Sequence, residues 1–321
     1  MRKALVVGIN NYKYAPLRGC INDATSVGDL LETHGDGSPN FEVWRELDVP
    51  TKSDLTTLIA NLFSGDCDTA LFYFSGHGYI NELGGYIVTP DFVKYDEGVS
   101  MEDILKLANK SRIKDKIIIL DCCHSGVMGS SGIVDGASHL KDGISILTAS
   151  RDDEPALEVN GHGVFTSLLL DALRGGAADL RGHISPGSVY AFIDQALGPW
   201  QQRPVFKTNI KRFTSIRTVT PPVPPEILRK ITEYFPAPQD EMQLDPSFED
   251  TNTKAIVHTL VEPYAIAGNV AIFKHLQKFQ SVGLVVPVGE EHMYYAAMRT
   301  KSCRLTALGY HYWRLVKEKR I

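Results

Sequence analysis

The sequence predicts an α/β sandwich with a mostly parallel central sheet, followed by a small separate domain at the C-terminus. Three features lead there. Strand-like and helix-like segments alternate from the N-terminus to about residue 213. Some strand-like runs, such as Ile117, Ile118, Ile119 and Leu120, are apolar without alternation, as strands covered on both faces are. A proline-rich stretch, TVTPPVPP at Thr218 to Pro225, then interrupts the pattern, because proline continues neither a helix nor a central strand.

Runs rich in β-branched or aromatic residues stand at Ala4 to Gly8, Phe41 to Leu47, Thr69 to Phe74, Gly85 to Val88, Lys116 to Leu120 and Gly143 to Ala149. Gly, Asp or Ser bounds them, and they read as strands. Between them, Asn22 to His34, Thr51 to Phe63, Ser100 to Ala108 and Val164 to Leu173 carry apolar residues at helical spacing. Ser100 with Asp103 three residues on resembles an acidic N-terminal cap.

The spacing therefore divides the chain into residues 1–217, a semi-rigid linker at 218–253 with a short helix at Glu226 to Tyr234, and a last unit at 254–321. In that unit the spacing predicts helices at Lys254 to Tyr264 and Val270 to Val282, strands at Leu284 to Gly289 and Met293 to Thr300, and a helix at Thr306 to Lys319. This is the order of a winged helix-turn-helix. Residues 251–321 hold ten Lys or Arg against four Glu, an excess of +6 in a chain whose net charge is -5.

Composition narrows the function classes. With 43% hydrophobic and 22% charged residues, the 321-residue chain reads as globular, without long disorder. The acidic balance disfavours a nucleic-acid-coating surface over the whole chain. The apolar run Ala4 to Ile9 is too short for a signal-peptide core, and no stretch reaches membrane-spanning length, so a soluble cytoplasmic protein without membrane partners is expected. Five cysteines in an odd set without paired spacing argue for reduced thiols.

Two strand-end motifs carry chemistry. LFYFSGHGY at 71–79 delivers His77 between two glycines after one buried strand, and IIILDCCHSG at 117–126 delivers Cys123 after another. Functional groups of parallel sheets cluster outside the carboxyl ends of strands, so the two side chains would share one sheet edge, which suits a Cys-His dyad. Taken singly, each also fits a structural reading, an inert buried thiol and a satisfied surface or core histidine. The flanking glycines admit a substrate backbone, and the N–H groups of Gly78 and Cys123 would form an oxyanion hole.

The motifs SGHG and D-x-C-H-S-G together resemble those of the caspase, metacaspase and paracaspase clan. GIN and GCIND near the start, with HGVFT and QQRP further on, extend the resemblance from Arg2 to about Phe213. It implies a caspase-haemoglobinase sandwich and a cysteine endopeptidase. The D-C-C-H-S-G form departs from the Q-A-C-R-G of animal caspases and agrees with the metacaspase and bacterial branch, which implies cleavage after Arg or Lys. Carried over by motif, Cys20 and Asp23 (GCIND), Ser75 (SGHG) and Asp121 (DCC) would surround the basic side chain. Two buried carboxylates suit a guanidinium. Asp23 also fits the first-turn acid of an ordinary helix. Of the two adjacent thiols, Cys123 is the nucleophile, because it precedes His124, Ser125 and Gly126 as in the family. Cys122 then faces the core, and His124 takes no part.

No cofactor is expected. The acids Glu82, Asp91, Asp96, Glu97, Glu102 and Asp103 are too scattered to favour calcium. In the Gly- and Ser-rich stretch Val127 to Asp142, Lys141 is the one basic residue and the natural place for self-cleavage, if the loop is cut at all. Asp152, Asp153 and Glu154 fit either a groove for a basic peptide or a solvated turn.

The reading is an Arg/Lys-directed effector or processing protease, acting on protein or peptide substrates, with a regulatory partner bound through residues 254–321. An idle caspase-like scaffold and a winged-helix DNA-binding regulator are the alternatives. The intact His77 and Cys123 count against the first. Nucleic acid is not favoured as a partner, since Val270 to Val282 offers only Lys274, Gln277, Lys278 and Gln280 to a groove.

Overall fold

The computed structural model describes residues 1–94, 96–122, 140–149, 158–159 (backbone), 162–198, 204–255 and 260–321. The chain divides into two units, Met1–Val219 and Thr220–Ile321.

The first unit runs β1 (Arg2–Gly8), α1 (Cys20–Glu32), β2 (Glu42–Leu47), α2 (Lys52–Ser64), β3 (Thr69–Ser75), β4 (Gly78–Asn81), β5 (Gly84–Val93), β6 (Asp96–Ser100), α3 (Met101–Lys110), β7 (Asp115–Asp121) and β8 (Ile144–Thr148). It continues with β9 (Glu158–Val159), β10 (His162–Gly163), α4 (Val164–Asp171), β11 (His183–Ile184), α5 (Pro186–Leu197), β12 (Val205–Asn209) and β13 (Arg217–Thr218). Six strands form the main sheet in the order β12-β8-β7-β3-β1-β2. All neighbours are parallel except β12 and β8. The expected mostly parallel α/β sheet is therefore present.

Strand side chains alternate between the two faces. Leu5, Val7, Phe72, Phe74, Ile118 and Leu120 enter one core with Leu55 and Ile59 of α2 and Ile104 of α3. Val6, Leu71, Tyr73, Ile117 and Ile119 enter the other with Val27 of α1, Leu169 of α4 and Ile193 of α5. Every residue of β3 and β7 is buried, which is why their sequences lack polar alternation. The helix starts follow local chemistry. Thr51 caps α2 by accepting the Asp54 N–H, and Ser100 caps α3 through Glu102 rather than Asp103.

The second unit contains α6 (Pro225–Leu228), α7 (Ile231–Tyr234), β14 (Glu241–Gln243), α8 (Ala267–Ser281), β15 (Val285–Val288), α9 (Met293–Met298), β16 (Ser302–Leu305) and α10 (Ala307–Lys317). Its sheet is antiparallel, in the order β14-β16-β15.

Here the elements differ from expectation at three places. The strand expected at Met293 to Thr300 is the helix α9, because Met293, Ala296 and Ala297 bury one face at helical spacing. The helix expected at Lys254 to Tyr264 is absent from its described residues. Asn252 occupies the backbone there, donating to the carbonyls of Val261 and Pro263 and accepting the Val261 N–H. Residues 241–243, expected within a linker, pair with β16, so the stretch after residue 219 contributes to the second unit's sheet. The resulting order, with a helix between the paired strands β15 and β16, differs from a winged helix-turn-helix. Lys274, a groove candidate, is paired with Asp250 at 2.7 Å.

Candidate functional site

The site lies at the carboxyl ends of β1, β3 and β7. Their last residues are in register: Gly8 pairs with Ser75, and Ser75 with Asp121. Gly8 has no room for a side chain, since a Cβ there would collide with the Cys20 carbonyl, so α1 starts directly against the strand end. Gly19, the residue before α1, has no capping side chain. Asn10 supplies the cap instead, its Oδ1 accepting the N–H of Cys20 at 3.0 Å and of Ile21 at 3.4 Å. Asp48 fixes that loop in turn by accepting the N–H groups of Asn10 and Asn11 at 2.8 and 2.9 Å.

His77 follows β3 by two residues. Its Nε2 lies 2.7 Å from the Ala15 carbonyl, which can only accept, so Nε2 carries the hydrogen and Nδ1 holds the lone pair of the neutral ring. The Tyr12 hydroxyl accepts the His77 backbone N–H at 3.1 Å and donates to the Val88 carbonyl at 3.2 Å. The two rings meet edge-on with centroids 4.5 Å apart. Burial holds the Tyr12 phenol well above its usual pKa, so it stays a neutral hydrogen-bonding group. The Val88 N–H donates to the His77 carbonyl at 2.9 Å. By the alternation of an antiparallel ladder, the next pair, Gly78 and Ile87, is non-hydrogen-bonded, and the Gly78 N–H points away from β5.

Beside this edge, the side chains of Ser75 and Asp121 continue the face lined by Tyr73 and Ile119. Ser75 hydrogen-bonds to Asp23 of α1, and Asp121 acts on Asp23 through its charge. Asp23, Ser75 and Asp121 are all buried, with Asp23 only 2% exposed. Asp23 Oδ2 accepts the Ser75 hydroxyl at 3.1 Å and the Gly163 N–H at 3.5 Å, while Oδ1 lies 2.8 Å from His162 Nδ1. Burial, reinforced by the charge of Asp121, pushes the Asp23 carboxyl up to about 6. Asp121 Oδ2 accepts from Thr166 at 2.6 Å, and Thr166 accepts from the Tyr73 hydroxyl at 2.6 Å. Burial, with Asp121 and Asp23 nearby, keeps Tyr73 well above its usual pKa and therefore a donor.

Of the residues named from the sequence, Ser75 and Asp121 end β3 and β7, His77 and Gly78 follow β3, and Cys20 and Asp23 lie in the first turn of α1. Cys123 lies outside the described residues, as do His124, most of the stretch expected to hold the cleavage loop, and Asp152 to Glu154. Cys122 is described, and it is buried in the core with Leu120 and Phe74. Lys141 is exposed, its N–H donating to Asn109 at 2.9 Å. Of the scattered acids, Asp91 accepts the Lys52 N–H, Asp96 pairs with Lys52 Nζ at 2.6 Å, and Glu102 and Asp103 pair with Lys106. Among the described residues no group of three or more His, Cys, Asp or Glu is arranged to hold a metal ion. No described helix is long and apolar enough to cross a membrane.

Sequence reasoning missed Tyr12, the Ala15 carbonyl, His162 and Thr166. The last two lie in or beside the HGVFT motif, so a signal for them was present without a role attached. Nothing in the spacing ties Tyr12 or Ala15 to a histidine more than 60 residues away.

No curated protein sequence matches the chain. Residues 1–213, the span holding this whole strand-end cluster, match the family model of the caspase domain, peptidase C14, and the chain belongs to that family of cysteine peptidases.

Proposed function

We propose that the chain is a cysteine endopeptidase cleaving after Arg or Lys, with Cys123 as nucleophile and His77 as acid/base. The observation that carries the specificity is the buried pair Asp23 and Asp121 beside the strand end of His77. Two desolvated carboxylates raise each other's cost of ionising, and a guanidinium or ammonium between them removes it. Ser75 and Cys20 complete the pocket walls.

His77 and Cys123 each stand two residues beyond the paired positions Ser75 and Asp121. Neighbouring parallel strands run roughly 4.8 Å apart, so this register favours a dyad across β3 and β7. In the reaction, Nδ1 of His77 takes the thiol proton as sulfur attacks the scissile carbonyl carbon. The Gly78 and Cys123 N–H groups receive the oxyanion, and His77 returns the proton to the leaving amine. Water, deprotonated by His77, then hydrolyses the thioester. The carbonyl of Ala15 holds the ring in the required tautomer and steadies the imidazolium.

The second unit, basic at its C-terminal end, acts as a partner-binding or regulatory module on a protease that needs restraint. The deciding experiment is digestion of a peptide library, with Cys123→Ala as the blank. Cuts after Arg and Lys in the parent alone are expected, and cuts after other residues would remove the pocket reading.

A further inference from the structure

We infer that His162 is a positioning residue of the basic-side-chain pocket: through Nδ1 it holds the Asp23 carboxylate oriented and ionised for the incoming cation. The inference rests on the pocket reading above and adds to it a residue from a part of the chain that supplies none of the other pocket groups.

The geometry is specific. β10 touches Asp23 twice, with the His162 ring on Oδ1 at 2.8 Å and the Gly163 N–H on Oδ2 at 3.5 Å, while Ser75 of β3 reaches Oδ2 at 3.1 Å. An ionised carboxylate only accepts, so Nδ1 carries the hydrogen in this contact. A carboxylate has about four acceptor positions. Three donors drawn from two strands therefore fix its plane and leave roughly one position for substrate. The burial contrast points the same way: the Asp23 side chain is 3% exposed and that of His162 24%, so the ring stands between a buried anion and solvent. Burial and Asp121 favour the neutral acid of Asp23, whereas the hydrogen bonds from His162, Ser75 and Gly163 favour the anion. Without the ring donor, the carboxylate would lose both its orientation and part of its charge at neutral pH.

A ring that only packs the short β9–β10 ribbon against α1 would affect folding and kcat, KM alike. The two roles separate in steady-state kinetics of the full-length protein on a fluorogenic Arg peptide, with thermal unfolding measured alongside. His162→Ala is expected to raise KM about tenfold to a hundredfold, the factor for one hydrogen bond to a charged group, with kcat changed by no more than about threefold. His162→Phe keeps the ring's bulk without the donor and is expected to match it, which covers the case of an unstable alanine variant. His162→Asn puts an amide N–H where Nδ1 stood and is expected to restore KM to within about threefold of the parent. Unchanged KM in His162→Phe, while Asp23→Asn raises it, overturns the role of His162 and leaves the pocket standing. Unchanged KM in Asp23→Asn as well overturns both.

Discussion

Asp23→Asn should make the protein more stable and less active at once. The carboxyl is raised from 3.8 to about 6 in the folded chain, by burial first and by Asp121 second. Between those values the folded state binds more protons than the unfolded state, so stability falls as pH rises through that window and stays lowered above it. At about 1.36 kcal/mol per unit, the ionised group costs about 3 kcal/mol at pH 7.5 and about 1 kcal/mol at pH 4.5. Asparagine titrates nowhere in that range. Its Oδ1 can accept from Ser75 and Gly163, and its amide can donate to His162 in the other ring tautomer, so the hydrogen-bond network of Asp23 survives. Urea unfolding at the two pH values should show an advantage for the variant that grows by about 2 kcal/mol from pH 4.5 to 7.5. In the parent, cleavage after Arg should fall below about pH 6 as Asp23 takes up its proton. A variant less stable than the parent at pH 7.5, or an advantage independent of pH, would refute the claim that this carboxylate is held at a cost for the sake of a cation.

Other variants probe the remaining parts. Cys123→Ala and His77→Ala should each abolish peptide cleavage, whereas Cys122→Ala, a core substitution, should keep most activity and cost about 1 kcal/mol in unfolding measurements. Tyr12→Phe removes the acceptor of the His77 N–H and the donor to Val88, so it should lower kcat about tenfold and stability by about 1 to 2 kcal/mol. A chain of residues 1–219 should retain cleavage of a small Arg peptide. Ending it at residue 217 instead would remove half of β13 and the Val219 N–H bond to Gly182. Folded but inactive 1–219 would mean that the second unit belongs to the catalytic machinery.

The first unit was legible because burial on both sheet faces writes itself into the chain. Ile117 to Leu120 and Leu71 to Phe74 cannot be solvated, and the polar groups that end those strands stand out as chemistry. The family resemblance gave Cys123 the nucleophile's place, alternation then turned its neighbour Cys122 toward the core, and Cys122 lies there. Contacts closed over long loops left no such trace. Tyr12 on His77 and His162 on Asp23 join residues 65 and 139 apart, and each looks like an ordinary turn or loop residue in isolation. The second unit was harder to read for a different reason. In MYYAAM the β-preferring tyrosines compete with a helix whose buried face, Met293, Ala296 and Ala297, is small. EMQ at 241–243 becomes a strand only by pairing with β16, some 60 residues later.

The central claim is a dyad served by an acidic pocket, and one measurement addresses it most directly. The full-length protein and its Cys123→Ala variant are each given a peptide library, and the residue before every cut is identified by mass spectrometry. The account predicts cuts after Arg and Lys by the parent and none by the variant. Cuts after Asp, or cleavage that survives the loss of Cys123, would contradict it.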